Sequence, residues 1–96
     1  MSMTPSLTTP LVTRTLTVRY FAAAKAAAGT GEETVALPGD ATVADAVAAL
    51  GTAHGPELEQ VLLRCSFLLD EVAVRDRSTA VGGAATLDVL PPFAGG

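Results

Sequence analysis

With 96 residues and a formal net charge of −4, the chain is sized for one domain and lacks the clustered Lys and Arg that a polyanionic partner requires, so no nucleic acid is expected. Hydrophobic residues make up 49% of it, but alanine supplies much of that share, and no apolar run approaches the ~20 residues that span a bilayer, so no membrane is expected either. The lone Cys65 excludes an internal disulfide and argues against a chelating metal site, and no bound cofactor is expected.

Residues 1–13 hold Pro5, Pro10 and several Ser and Thr without a sustained period, which reads as a flexible N-terminal arm. The arm has no basic segment followed by an apolar one, so no secretory signal is read and the cytoplasm is the expected compartment. A domain over 14–90 follows. Leu16, Val18 and Tyr20 alternate with Thr17, Arg19 and Phe21, the period of two that marks a strand with one buried face. Ala22 to Ala28 has high helix propensity and is broken by Gly29 and Gly31, which predicts a short helix or turn. Glu32 to Leu37 alternates again and ends in the Pro38-Gly39-Asp40 turn.

Thr42 is placed as an N-cap with Asp45 in the first turn, and Val43, Ala46, Val47 and Leu50 follow at helical spacing, predicting a central amphipathic helix that ends at Gly51. Gly55 and Pro56 open a second helical segment whose apolar stripe is Leu58, Val61, Leu62 and Cys65. Phe67–Leu69 and Val72–Val74 read as two short strands around the polar Asp70-Glu71 turn, or as one bulged strand. Gly82-Gly83 turns the chain, and Ala85–Leu90 is a last strand with Leu87 and Val89 on one face. The order predicts an α+β roll in which a mixed sheet packs on one main helix. The uncovered sheet face would leave Leu90 and Phe93 partly exposed as a docking surface.

The last strand runs into Pro91 and Pro92, which lack backbone N–H donors, and sheet pairing is expected to stop there. Residues 91–96, Pro91-Pro92-Phe93-Ala94-Gly95-Gly96, form an extended tail with a reach of about 20 Å at roughly 3.3–3.6 Å per residue. Gly95 and Gly96 carry no side chain to obstruct entry into a partner's pocket. The Gly96 carboxylate, with an ordinary pKa of about 3.3–3.7, is ionised at neutral pH and can attack an activated phosphate.

Other candidates are weaker. Gly29-Thr30-Gly31 lacks the remaining residues of a dinucleotide or phosphate loop. Cys65 lies on an apolar helical stripe, which favours core packing over nucleophilic chemistry. His54, lying between Gly51 and Gly55, is expected in a solvated loop, and Glu32-Glu33 and Asp70-Glu71 are expected to be solvated charges. Lys25 is the sole lysine, hence the sole internal amine for isopeptide attachment.

Over Leu16 to Gly96 the chain resembles the ubiquitin-like β-grasp sulfur carriers of the MoaD/ThiS family, and the MoaD type more than the ThiS type. The resemblance is carried by Val18-Arg19-Tyr20-Phe21-Ala22, by Thr42-Val43-Ala44-Asp45, and above all by Leu90-Pro91-Pro92-Phe93-Ala94-Gly95-Gly96. MoaD-type chains usually end Pro-Pro-Val-x-Gly-Gly, so Phe93 departs from the pattern, as does Gly82-Gly83-Ala84-Ala85 in place of an acidic turn. The resemblance implies that an E1-like adenylyltransferase adenylates Gly96 with ATP and that a sulfur donor protein converts it to a thiocarboxylate. It further implies that the tail enters the large subunit of molybdopterin synthase to deliver sulfur to cyclic pyranopterin monophosphate, with Leu90 to Gly95 contacting the partner. The catalytic side chains would then belong to the partners. The alternatives are a carrier for thiamine or cysteine biosynthesis and a ubiquitin-like protein modifier.

Overall fold

Alternation of apolar and polar residues builds the sheet, and burial follows it residue by residue. The computed structural model describes residues 13–92, so the predicted arm up to Val12 and the tail from Phe93 to Gly96 lie outside the described residues. Strand β1 (Thr13–Tyr20) buries Leu16, Val18 and Tyr20 while Thr17 and Arg19 face the other way. It pairs antiparallel with β2 (Glu32–Pro38) and parallel with β5 (Thr86–Leu90). Strand β5 pairs antiparallel on its other side with β3 (Ser66–Leu69), which pairs with β4 (Val72–Ala73). The resulting mixed sheet has the order β2-β1-β5-β3-β4, so the last strand in sequence is the central one in space.

Helices α1 (Ala22–Ala28), α2 (Val43–His54) and α3 (Pro56–Leu62) each contribute to one core with the inward face of the sheet. Leu50 and Leu58 are fully buried in it against the layer that includes Val18, Leu87 and Val89. The longest helix, α2, starts where the sequence predicts: Asp45 N–H donates to Thr42 Oγ1 at 3.2 Å, and Thr42 N–H donates to Asp45 Oδ2 at 2.9 Å. Two further N-terminal donors of α2 reach out of the helix, Val43 N–H to the Thr79 carbonyl and Ala44 N–H to the Arg77 carbonyl. Arg77 in turn donates to the carbonyls of Leu62 and Cys65, and its guanidinium sits 4.7 Å from the Phe67 ring centroid. The loop before β5 thereby ties the start of α2 to the end of α3.

Gly51 does not end α2, as its low helix propensity predicts, but lies buried one turn before the end. The reason is tertiary: a Cβ at Gly51 would stand 2.7 Å from Glu59 Cγ, so the missing side chain admits the close approach of α3. Asp70 and Glu71 form a two-residue hairpin turn with φ of 48° and 70°, the type I′ geometry that matches strand twist, which settles β3 and β4 as separate strands.

Asp70 is no merely solvated charge. Its Oδ1 accepts from Ala85 N–H at 2.8 Å and Thr86 N–H at 3.0 Å, which fastens the hairpin turn to the start of β5. The Ala85 hydrogen bond, then the Thr86 one, holds this carboxyl below the ordinary carboxylate range. A depressed folded pKa gives stability that is present above the unfolded value of about 3.9 and lost as pH falls through the folded value. Asp70→Asn keeps an acceptor and removes the charge. It is expected to lower the urea midpoint near pH 7, with the difference from the parent narrowing as pH drops from about 4 to about 2. A gap of equal size throughout that range would show that the charge contributes nothing.

Candidate functional site

The tail leaves from the middle of the sheet. Val89 of β5 is level with Tyr20 of β1 on one side and with Phe67 of β3 on the other, and Leu90 is level with Ser66. Leu87 and Val89 are fully exposed to neither face of solvent, both being buried, while Leu90 and Pro91 are half-buried and Pro92 is exposed. The last two described residues thus lead out of a strand held from both edges, which fixes where the tail starts. Phe93, Ala94, Gly95 and Gly96 lie outside the described residues.

Around that exit, the helix-free face of the sheet gathers residues of two kinds. Phe21 continues the extended backbone of β1, with φ −130° and ψ 150°, and follows the residue level with Val89, so it stands beside Leu90. It is 42% exposed, one of the few large apolar side chains so open to solvent. Directly after it, Ala22 adopts a φ of 51°, a left-handed conformation that non-glycine residues rarely hold, and turns the chain sharply into α1. Leu68, half-buried, is level with Asp88 on the same face. Between them Arg19 Nε and Nη2 donate to Asp88 Oδ1 and Oδ2 at 2.6 and 2.9 Å, a two-pronged pair across the parallel β1–β5 ladder. Asp88 is buried beneath Arg19, whose side chain is 36% exposed. The result is a flat surface of Phe21, Leu68 and Leu90 with an ordered charge pair at its centre. Sequence alternation places Leu90 on it but gives no signal for the Arg19–Asp88 pairing, and Phe21 passes there for an ordinary strand residue.

The opposite side of the same end holds a polar cluster. Tyr20 donates from its hydroxyl to Glu33 Oε2 at 2.5 Å, and His54 Nε2 meets the same oxygen at 2.5 Å. The His54 ring stands edge-on to Tyr20, with centroids 6.0 Å apart. His54 is therefore the last residue of α2 and not a loop residue, because α2 runs on through Gly51 and carries it over the start of β2. Glu33 likewise is bound rather than solvated. Burial pushes its carboxyl up, but hydrogen bonds from Tyr20 and His54 and the charge of His54 outweigh this and hold it below the ordinary range. Burial, then the Glu33 bond, raises Tyr20 well above the usual phenol. These three groups satisfy one another and join β1, β2 and α2. Cys65 is buried with its thiol donating to the Val61 carbonyl, and burial raises its pKa despite the nearby Arg77, as expected of a packed thiol. Gly29 closes α1 with φ 78° and its N–H on the Lys25 carbonyl, a helix C-cap and no phosphate loop. Among the described residues no helix is long and apolar enough to cross a membrane.

Known proteins share this frame. The ThiS family model matches residues 18–96. The molybdopterin synthase sulfur carrier subunit of Chlamydomonas reinhardtii is 34% identical over 80 residues, which cover 82% of this chain and 95% of that protein. SAMP1 from Haloferax volcanii has the same architecture at a TM-score of 0.75 and 32% identity, covering 86% of this chain and 100% of its own. The small archaeal modifier protein 1 of Methanosarcina acetivorans, at 22% identity and a TM-score of 0.73 over 88% of this chain and 99% of its own, shares the fold. The α+β architecture is thus the ubiquitin-like β-grasp, and the family match takes in both the sheet and the Gly95-Gly96 end: the chain belongs to the ThiS family of MoaD/ThiS sulfur carriers.

Proposed function

We propose that this chain carries sulfur as a thiocarboxylate on Gly96 for the synthesis of molybdopterin. The observation that carries the reading is the family match over 18–96, which runs through the tail that the central strand β5 launches. The Chlamydomonas relative named for molybdopterin synthase supports that pathway over the others. An E1-like enzyme would join the Gly96 carboxylate to AMP with release of pyrophosphate. Sulfide from a donor protein would then displace AMP, since AMP is a good leaving group where a carboxylate oxygen is a poor one. The surface of Phe21, Leu68 and Leu90 would seat the activating enzyme and the synthase large subunit in turn, with the tail reaching into each. The polar side chains described near the exit, Arg19 with Asp88 and Tyr20 and His54 with Glu33, are engaged with one another, which suits a protein whose chemistry is performed by its partners.

A second reading, a ubiquitin-like modifier, is favoured by the 32% identity to SAMP1. The two readings differ in the fate of Gly96. Incubation with an E1-like enzyme, ATP and sulfide is expected to raise the intact mass by one oxygen-to-sulfur exchange, and capture on the tagged chain is expected to recover a molybdopterin synthase large subunit. Phe21→Asp should weaken that capture with little change in stability, because Phe21 is 42% exposed and stands outside the buried core. Recovery of a thiazole or cysteine synthase in its place would overturn the pathway. Isopeptide adducts without any thiocarboxylate would overturn the carrier.

A further inference from the structure

The only lysine of the chain stands in an unusually bare setting. Lys25 is exposed in α1, where every other residue from Ala22 to Ala28 is alanine. Along the helix its neighbours three and four positions away are Phe21, Ala22, Ala28 and Gly29. Its stem lies across Gly31, where a Cβ would come within 3.3 Å of Lys25 Cε. It forms no ion pair among the described residues, so no salt bridge has to break before the amine can react. An approaching chain would meet methyl groups and bare backbone there, with the exposed Phe21 at the N-cap of the helix.

We infer that Lys25 Nζ is the internal acceptor for the activated Gly96 of a second copy of this chain. The inference rests on the reading that Gly96 is adenylated. The neutral amine attacks the carbonyl carbon of the acyl-adenylate, a C–N bond forms, the C–O bond to AMP breaks, and the amine's proton passes to solvent. ATP supplies the driving force as AMP and pyrophosphate, and an adenylating enzyme is the co-reactant. A donor end of Gly95-Gly96, which has no side chains, suits an acceptor whose neighbours within α1 are all Ala and whose stem crosses Gly31. Each product keeps one free Lys25 and one free Gly96, so the linkage can repeat and every internal joint is of one type.

The test is to incubate the full chain with an E1-like enzyme and ATP without sulfide, following pyrophosphate release and intact mass together. A species of two chains less one water is expected. Trypsin should then yield Lys25 carrying the Ser78–Gly96 branch, because no Lys or Arg follows Arg77. Lys25→Arg keeps the charge and the exposed site and should lose the two-chain species while releasing the first-turnover pyrophosphate at the parent's rate. A two-chain species that persists in Lys25→Arg with its branch on Met1 would overturn the assignment, as would pyrophosphate release from the parent with no Lys25 adduct. Absence of pyrophosphate release would sink the adenylation reading itself, and this inference with it.

Discussion

Deleting Gly96, or adding residues after it, is expected to abolish thiocarboxylate formation while leaving the fold unchanged. Appended residues turn the carboxylate into an amide, which has no anionic oxygen to attack the α-phosphate of ATP, so the loss should be complete. Deletion leaves a glycine carboxylate on Gly95 but shortens the tail by about 3.3–3.6 Å. Misplacing a reacting group by about 1 Å can cost roughly a hundredfold in rate, so the shortened chain should fall at least that far in single-turnover thiocarboxylation. The fold should not notice either change. Burial ends with Val89, Leu90 and Pro91 are half-buried, and Pro92 is exposed. Thermal midpoints of both variants should match the parent within what about 0.5 kcal/mol produces. A Gly96-deleted chain that unfolds at room temperature would make the tail a structural element, and one that is thiocarboxylated at the parent's rate would remove Gly96 from the chemistry.

Local pattern carried most of the fold in the sequence. The alternation of Leu16, Val18 and Tyr20, and of Leu87 and Val89, specifies which face of each strand is buried, and Thr42 with Asp45 specifies the start of α2. What escaped was set by contacts between distant residues. Gly51 reads as a helix stop until Glu59 of α3 is seen packed against it. His54 and Glu33 are separated by 21 positions and Arg19 and Asp88 by 69, so no motif announces either pair. Asp70 passes for a turn carboxylate because its donors, Ala85 and Thr86, are backbone groups that every residue possesses. The site divides the same way. Its double proline and double glycine can be read directly, whereas the placement of β5 between β1 and β3, which centres the tail and sets Phe21 beside it, is a property of topology alone.

That central placement makes β5 the strand whose loss should cost most. Leu87 is fully buried, level with Val18 of β1 and with Leu69 of β3, so its side chain packs between two strands and beneath the helices. Leu87→Ala removes the transfer energy of the lost methyl groups and leaves a cavity that paired neighbours on both edges cannot easily close. A cost of about 3 kcal/mol is expected, within the roughly 2–5 kcal/mol of such changes. In a domain of this size that lowers Tm by roughly 12–24 °C. Leu63→Ala, at a leucine 71% exposed on the helical side, is the control and should move stability by no more than about 0.5 kcal/mol. The two variants separate delivery from chemistry. Leu87 faces the core, whereas the Phe21–Leu90 surface lies on the other side of the sheet, so each folded Leu87→Ala molecule should still be thiocarboxylated at the parent's rate well below its Tm. Equal stability of the two variants would mean that β5 is not anchored from the core. A stable Leu87→Ala chain that fails in sulfur loading would mean that the aim of the tail depends on the packing beneath β5 and not only on its pairing.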